Sequence, residues 1–155
     1  MTNENEKQDR GTTTEMLMQI FNANNIKEFI IKTWENITSP KLNKYLTKLC
    51  DDKCIKPKEV IKKADMNRQY GREIFKGKKA NPSRDHVISL AFGFGLDYEE
   101  SQDLLKVARH PQLYSLDKRD AVIIFCIKNK KSFQQTEEIL FDLELDTLRS
   151  ENKRV

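Results

Sequence analysis

Between Leu42 and Leu49 the apolar positions are Leu42, Tyr45, Leu46 and Leu49, and every residue between them is polar. A spacing of i, i+3, i+4, i+7 lines one side of an α-helix and neither side of a strand. The same spacing returns at Val87, Leu90, Ala91 and Phe94. Ile26, Phe29, Ile30 and Trp34 approach it, predicting a helix over Ile26–Ile37. "MLMQIF" (Met16–Phe21) is apolar without a clear period and fits a short helix or an extended arm. Leu104, Leu105 and Val107, and then Phe133, Ile139, Leu140 and Leu143, mark two further helices.

The residues at the ends of these segments agree with the period. "TSP" (Thr38–Pro40) breaks the chain. Pro57 suits a first helical position, with Val60, Ile61 and Ala64 inward. Met66 and Asn67 form a tight connection, and Asn67 is a good N-cap for a helix from Arg68 to about Lys76, ended by Gly77. Ser83 caps the Val87 helix and Gly95 closes it. Asp97 with Glu100, and Ser132 with Gln135, read as capping boxes. "RHPQLYS" (Arg109–Ser115) is a loop, after which Asp117 can cap "AVIIFCI" (Ala121–Ile127). β-branched residues crowd that run, but the helix signals on both sides favour a helix. With the next segment it forms a helical hairpin. A helix apolar on most sides must be buried, in its own core or against another chain.

Composition narrows the class. The 155 residues suffice for one domain with a tail, and five glycines and four prolines favour an all-α architecture. No apolar run approaches the roughly 18 residues of a membrane span. The polar opening "MTNENEKQDRGTTTE" resembles neither a signal nor a transit peptide and reads as a disordered tail. Three cysteines cannot all pair within one chain, which suits a reduced, cytoplasmic setting.

Charge is spread unevenly. The balance is −2 over residues 1–40, +8 over 41–82 and −2 over 83–155. The positive third suggests contact with a polyanion. Its densest part, Arg68, Arg72, Lys76, Lys78 and Lys79 with Glu73 among them, falls on one short helix and the following loop. A solvated lysine-rich face is the competing account. Other chemistry has little to work with. Cys50-x3-Cys54 has ligand-like spacing, but no Cys or His pair follows at zinc-finger distance, so no metal is expected. His86 and His110 read as structural. There is no phosphate-binding glycine loop, nucleophile elbow or metalloprotease motif, so neither enzymatic activity nor a cofactor is expected. "EEILFDLELD" (Glu137–Asp146) reads as a helix surface.

The middle of the chain, "IKPKEVIKKADMNRQYGREIFKGKKANPSRDHVISLAFGFGLDYEE", resembles the lambda-repressor-like, XRE-type helix-turn-helix family. The features that match are Val60–Ile61 and Ala64 before the turn, Met66 within it, Asn67–Arg68, the inward Ile74, "KGKKANPS", Leu90–Ala91 and "GFGLDYEE". The likeness covers roughly Leu42 to Val107. Three positions depart from the family's pattern. Asp65 stands where a glycine is usual, and it too tolerates the left-handed conformation. Gly71 replaces an apolar residue, at a cost of about 1 kcal/mol relative to Ala, and leaves room for close backbone approach. Pro57 replaces a phosphate-contacting glutamine, and the flanking Lys56 and Lys58 could take over as cations.

The resemblance implies a five-helix helix-turn-helix core at 41–109; outside it the composition and apolar pattern give a disordered tail at 1–15, an N-terminal arm or helix at 16–40 and a C-terminal helical hairpin at 110–155 for packing or dimerisation. It implies a sequence-specific transcriptional regulator of bacterial or phage type, bound to double-stranded DNA as a homodimer. Its second motif helix would lie in the major groove. Arg68, Gln69, Arg72 and Glu73 would face base edges, and Lys56, Lys58, Asn67, Lys76, Lys78 and Lys79 would contact phosphates. The rival is a protein-interaction module on the same scaffold, an antitoxin-like or adaptor protein whose flanking helices hold a protein partner.

Overall fold

A computed structural model describes residues 14–33 and 41–149. Nine helices and no strand occur among them, so the chain is all-α there. Two compact units divide at Ser39 and Pro40. Of the expected disordered tail at 1–15, residues 1–13 lie outside the described residues, as do Trp34 with the rest of its helix and the break at "TSP", whereas Thr14 and Glu15 are helical.

The first unit holds α1 (14–22) and α2 (Ile26–Thr33). "MLMQIF" is therefore helical. Asn25 caps α2 by accepting from Lys27 N at 3.0 Å. Nothing in α2 is buried, and Leu17, Met18, Ile20, Phe21, Ile26 and Ile31 are exposed.

The second unit contains α3 (Leu42–Lys53), α4 (Pro57–Lys63), α5 (Arg68–Phe75), α6 (Arg84–Phe94), α7 (Tyr98–Val107), α8 (Lys118–Lys128) and α9 (Phe133–Asp142). The expected caps form. Asn67 accepts from Tyr70 N, Ser83 from His86 N and Asp117 from Asp120 N, and both capping boxes close in both directions. Pro57 occupies the first turn of α4, and Gly95 ends α6 in the left-handed conformation. α5 stops at Phe75 with Lys76 as its C-cap, one residue earlier than the spacing suggests, and Gly77 follows at φ +82°.

One core runs through all seven helices. Leu46, Val60, Ile74, Val87, Ile88, Leu90, Leu104, Leu105, Ile123 and Leu140 are essentially inaccessible. The hairpin joins this core, α8 against α7 and α9 against α6. The apolar run of α8 is thus buried mainly within its own chain, through Ile123, Cys126 and Ile127, while Phe125 points away.

α6 lies almost on the backbone of α4. A Cβ on Gly93 would come within 2.5 Å of the Val60 carbonyl oxygen, so no larger residue fits without moving a helix. α5 approaches the other side of α4, where a Cβ on Gly71 would meet Ile61 side-chain atoms at 2.7–2.9 Å. The missing side chain at Gly71 therefore serves contact with a facing helix. Asp65 adopts φ +50°, which completes the short connection from α4 to α5.

The hairpin is fastened by two crossed ion pairs. Adjacent Arg84 and Asp85 on α6 face adjacent Arg119 and Asp120 on α8. Arg84 donates to Asp120 at 3.0 and 2.8 Å, and Arg119 to Asp85 at 2.9 and 2.9 Å. Each guanidinium also donates to backbone carbonyls, Arg84 to Pro111 and Gln112, Arg119 to Asp146 and Thr147. Burial pushes the Asp120 carboxyl up, but the hydrogen bonds from Arg84 and the Tyr114 amide, with the charges of Arg84 and Arg119, hold it below the usual range. Burial disfavours the Arg119 cation, yet its bond to Asp85 and the charges of Asp85, Asp120 and Asp146 raise its pKa above the usual value.

The chain after α9 is held as well. Glu137 accepts from Leu148 N at 2.6 Å and Arg149 N at 3.3 Å. Leu148 is buried, and Arg149 lies over the Phe133 ring and pairs with Asp65 in the α4–α5 connection.

Candidate functional site

α5 has two sharply different sides. At about 100° per residue, Arg68, Arg72, Lys76, Gln69 and Glu73 fall in one arc of roughly 140°, and Tyr70, Ile74, Gly71 and Phe75 fill the opposite one. Gly71 and Ile74 are buried, Tyr70 and Phe75 half-buried. Tyr70 rests against His86 of α6, ring centroids 4.6 Å apart, and Phe75 against Phe94 at 6.2 Å. These contacts fix the roll of α5 and turn its polar arc outward.

On that arc Arg68, Gln69, Arg72 and Lys76 are exposed. Glu73 is half-buried and accepts from Gln69 Nε2 at 3.3 Å, so these two side chains act as a pair. Lys78 and Lys79 are exposed on the loop that follows, and Lys56 and Lys58 at the start of α4. Asn67 is exposed too, but its carbonyl oxygen is occupied by the Tyr70 amide. Only its NH2 group remains for an outside acceptor. Among the described residues, none of Arg68, Arg72, Lys56, Lys58, Lys76, Lys78 and Lys79 has a carboxylate within ion-pair distance. The structure thus brings Arg68, Gln69, Arg72, Glu73 and Lys76 onto one face, with Lys78 and Lys79 continuing from its C-terminal end.

Chemically this is a convex cationic ridge carrying two planar guanidinium groups and a primary amide. Guanidinium donors can grip two acceptors at once, and ammonium groups act as mobile point charges. Such a surface suits a polyanion that also presents paired acceptors.

Other reactive groups are committed elsewhere. His86 Nδ1 is 2.8 Å from Ser83 Oγ, and His110 Nε2 is 2.7 Å from the Pro82 carbonyl. Burial, with a smaller effect from Asp51, pushes the Cys50 thiol up. Burial also raises Cys126, against the Thr136 hydrogen bond and the Lys131 charge. Cys54 is exposed, and all three cysteines are unpaired. Among the described residues no group of three or more His, Cys, Asp or Glu could hold a metal ion, and no helix is long and apolar enough to cross a membrane.

The sequence led to an apolar hairpin for packing or dimerisation, but not to which of its side chains stay exposed. Leu116 is 79% exposed, Phe125 56% and Phe141 74%, with Leu143 and Tyr114 also open. Phe125 and Phe141 share their helices with core residues of the same type, so only tertiary packing separates them. No protein-family model matches the chain, and no curated protein or solved structure shows significant similarity to it.

Proposed function

We propose that this chain is a sequence-specific DNA-binding transcriptional regulator that reads the major groove with α5. The observation that carries the reading is the outward arc of α5, with Arg68, Gln69 and Arg72 exposed and both arginines without a carboxylate partner among the described residues. Eight residues make a rod of about 12 Å, comparable with the width of the groove. The α4–α5 pair supports a helix-turn-helix of the lambda-repressor-like kind. Its helices are short, Asp65 is left-handed in the connection, and Asn67 caps the second helix. In this arrangement Arg68 and Arg72 pair with guanine and Gln69 with adenine, and Glu73 orients Gln69 or accepts from cytosine. Lys56, Lys58, Asn67, Lys76, Lys78 and Lys79 hold phosphates and set register.

Selection of bound duplexes from random DNA tests the reading. The expected product is a short motif, present as two half-sites about one helical turn apart if the chain acts as a homodimer. Recovery of no motif, with no salt-dependent retention on random duplex, would exclude it.

A second reading, a protein-interaction module on the same scaffold, is favoured by the exposed Leu116, Phe125, Phe141 and Leu143. In the regulator these side chains join two copies, and in the module they hold a different protein. Because the hairpin shares the core, truncation near Arg109 would open that core. Phe125→Asp with Phe141→Asp in the full chain is the cleaner variant. Sedimentation showing a dimer that becomes a monomer supports self-association, and a monomer before and after favours the second reading.

A further inference from the structure

The cationic surface does not end with the loop after α5. Lys41, the N-cap of α3, and Lys44 and Lys48 within the helix stand at i, i+3 and i+7, and all three are exposed. At about 100° per residue Lys44 and Lys48 fall within roughly 40° of each other, on the side opposite Leu42, Leu46, Leu49 and Cys50, and Lys41 precedes them at the start of the helix. Asp51 and Asp52 follow only at the C-terminal end of the helix. There Lys53, the one remaining lysine of α3, is paired with Glu100 of α7 at 2.8 Å. Among the described residues Lys41, Lys44 and Lys48 have no such partner. Like charges one turn apart repel, so this row disfavours its own helix unless an anion lies across it.

The fold sets the row beside the site already described. α3 packs on α5. Asn43, between Lys41 and Lys44, lies against the loop after α5, so that a Cβ on Gly77 would come within 2.9 Å of Asn43 Nδ2. The first turn of α3 therefore adjoins the segment carrying Lys76, Lys78 and Lys79.

We infer that Lys41, Lys44 and Lys48 form a second phosphate-binding row, along which the nucleic-acid backbone that passes Lys76–Lys79 continues. This rests on the DNA-binding reading and extends its footprint. From Lys41 to Lys48 the helix rises about 10 Å, a length over which one DNA strand presents about three phosphates. The ligand chemistry is a run of phosphodiesters, and the row carries no base preference of its own.

The test compares full-length variants on a duplex selected by the wild-type chain. One variant is Lys41→Gln, Lys44→Gln, Lys48→Gln. Its control removes the same charge from the hairpin, as Lys128→Gln, Lys130→Gln, Lys131→Gln. Binding is followed from low to high salt, with thermal melting to confirm folding. The α3 variant is expected to lower the salt slope by about 0.9 for each phosphate it no longer neutralises, with base preference unchanged. The control should leave the slope near wild type. Phosphate-ethylation interference should show the α3 variant losing protected phosphates at one flank of the site, an effect that folding alone cannot mimic. A salt slope and footprint equal to wild type in the α3 variant overturn the inference and leave the major-groove reading standing. A wild-type chain that binds no duplex removes both.

Discussion

Arg68 and Arg72 on α5 and Arg84 and Arg119 at the α6–α8 contact are the same residue put to opposite uses. Each of the second pair grips both oxygens of an aspartate and also donates to backbone carbonyls. Those guanidinium groups are consumed by the fold. Arg68 and Arg72 sit on a helix rolled by Gly71, Ile74 and Tyr70 so that their charges meet no carboxylate among the described residues. The first arrangement specifies where the hairpin sits. The second contributes little to folding and leaves its donors for an outside anion. Positive charge alone does not separate them, but the partner does.

The comparison can be broken most forcefully at the crossed pairs. Arg84→Ala would strand the mostly buried Asp120 and should lower stability by about 3 kcal/mol, read from the midpoint of urea unfolding. Arg72→Ala should stay within about 0.5 kcal/mol of wild type in the same assay. A comparable loss at Arg72 would make it a structural arginine.

Replacing Arg68 and Gln69 by Ala should weaken binding to a selected duplex by about 1–3 kcal/mol for each base no longer read and relax base preference, with no change in melting. A gel shift that retains wild-type affinity would assign base reading to another element. Removing the charges of Lys76, Lys78 and Lys79 should weaken selected and random duplex alike and lower the salt slope by about one unit per phosphate released. An unchanged slope would return these lysines to solvated surface.

The smallest effect concerns acid. The Asp120 carboxyl is held below its ordinary value of about 4, so the unfolded chain takes up that proton more readily than the folded one. Its contribution to stability is fully present above the unfolded value and is lost as pH falls through the folded one. Asp120→Asn should be less stable at pH 7 and should lack this part of the acid transition when urea midpoints are followed downward in pH. Arg68→Ala should leave that transition unaltered.

Much of this was legible from local sequence. Helix starts at Asn67, Ser83, Asp97, Asp117 and Ser132 are set by side chains within three residues of the amides they serve, so the sequence carries both partners together, and Pro57 suits a first turn because it has no amide to satisfy. The outward arc of α5 was legible for the same reason, because a 3.6-residue period sorts Arg68, Arg72 and Lys76 from Gly71 and Ile74. The engagement of Glu73 by Gln69 lies one turn away, within reach of the same reasoning, and was not anticipated.

What only the tertiary structure decided involves partners far apart in the chain. Arg84 meets Asp120 across 36 residues and Arg119 meets Asp85 across 34, and many other acidic residues were equally eligible. The closeness of Gly93 to Val60 depends on how two helices cross, which no period encodes. The burial of Ile123 with the exposure of Phe125 depends on which side of α8 meets α7. By itself the sequence determined where helices begin, where they end and which side of α5 is charged, because those choices rest on bonds and sterics within one or two turns. The choice among competing long-range partners, and with it the seat of the hairpin, came from packing all seven helices of the second unit around one core, where each burial excludes the alternatives.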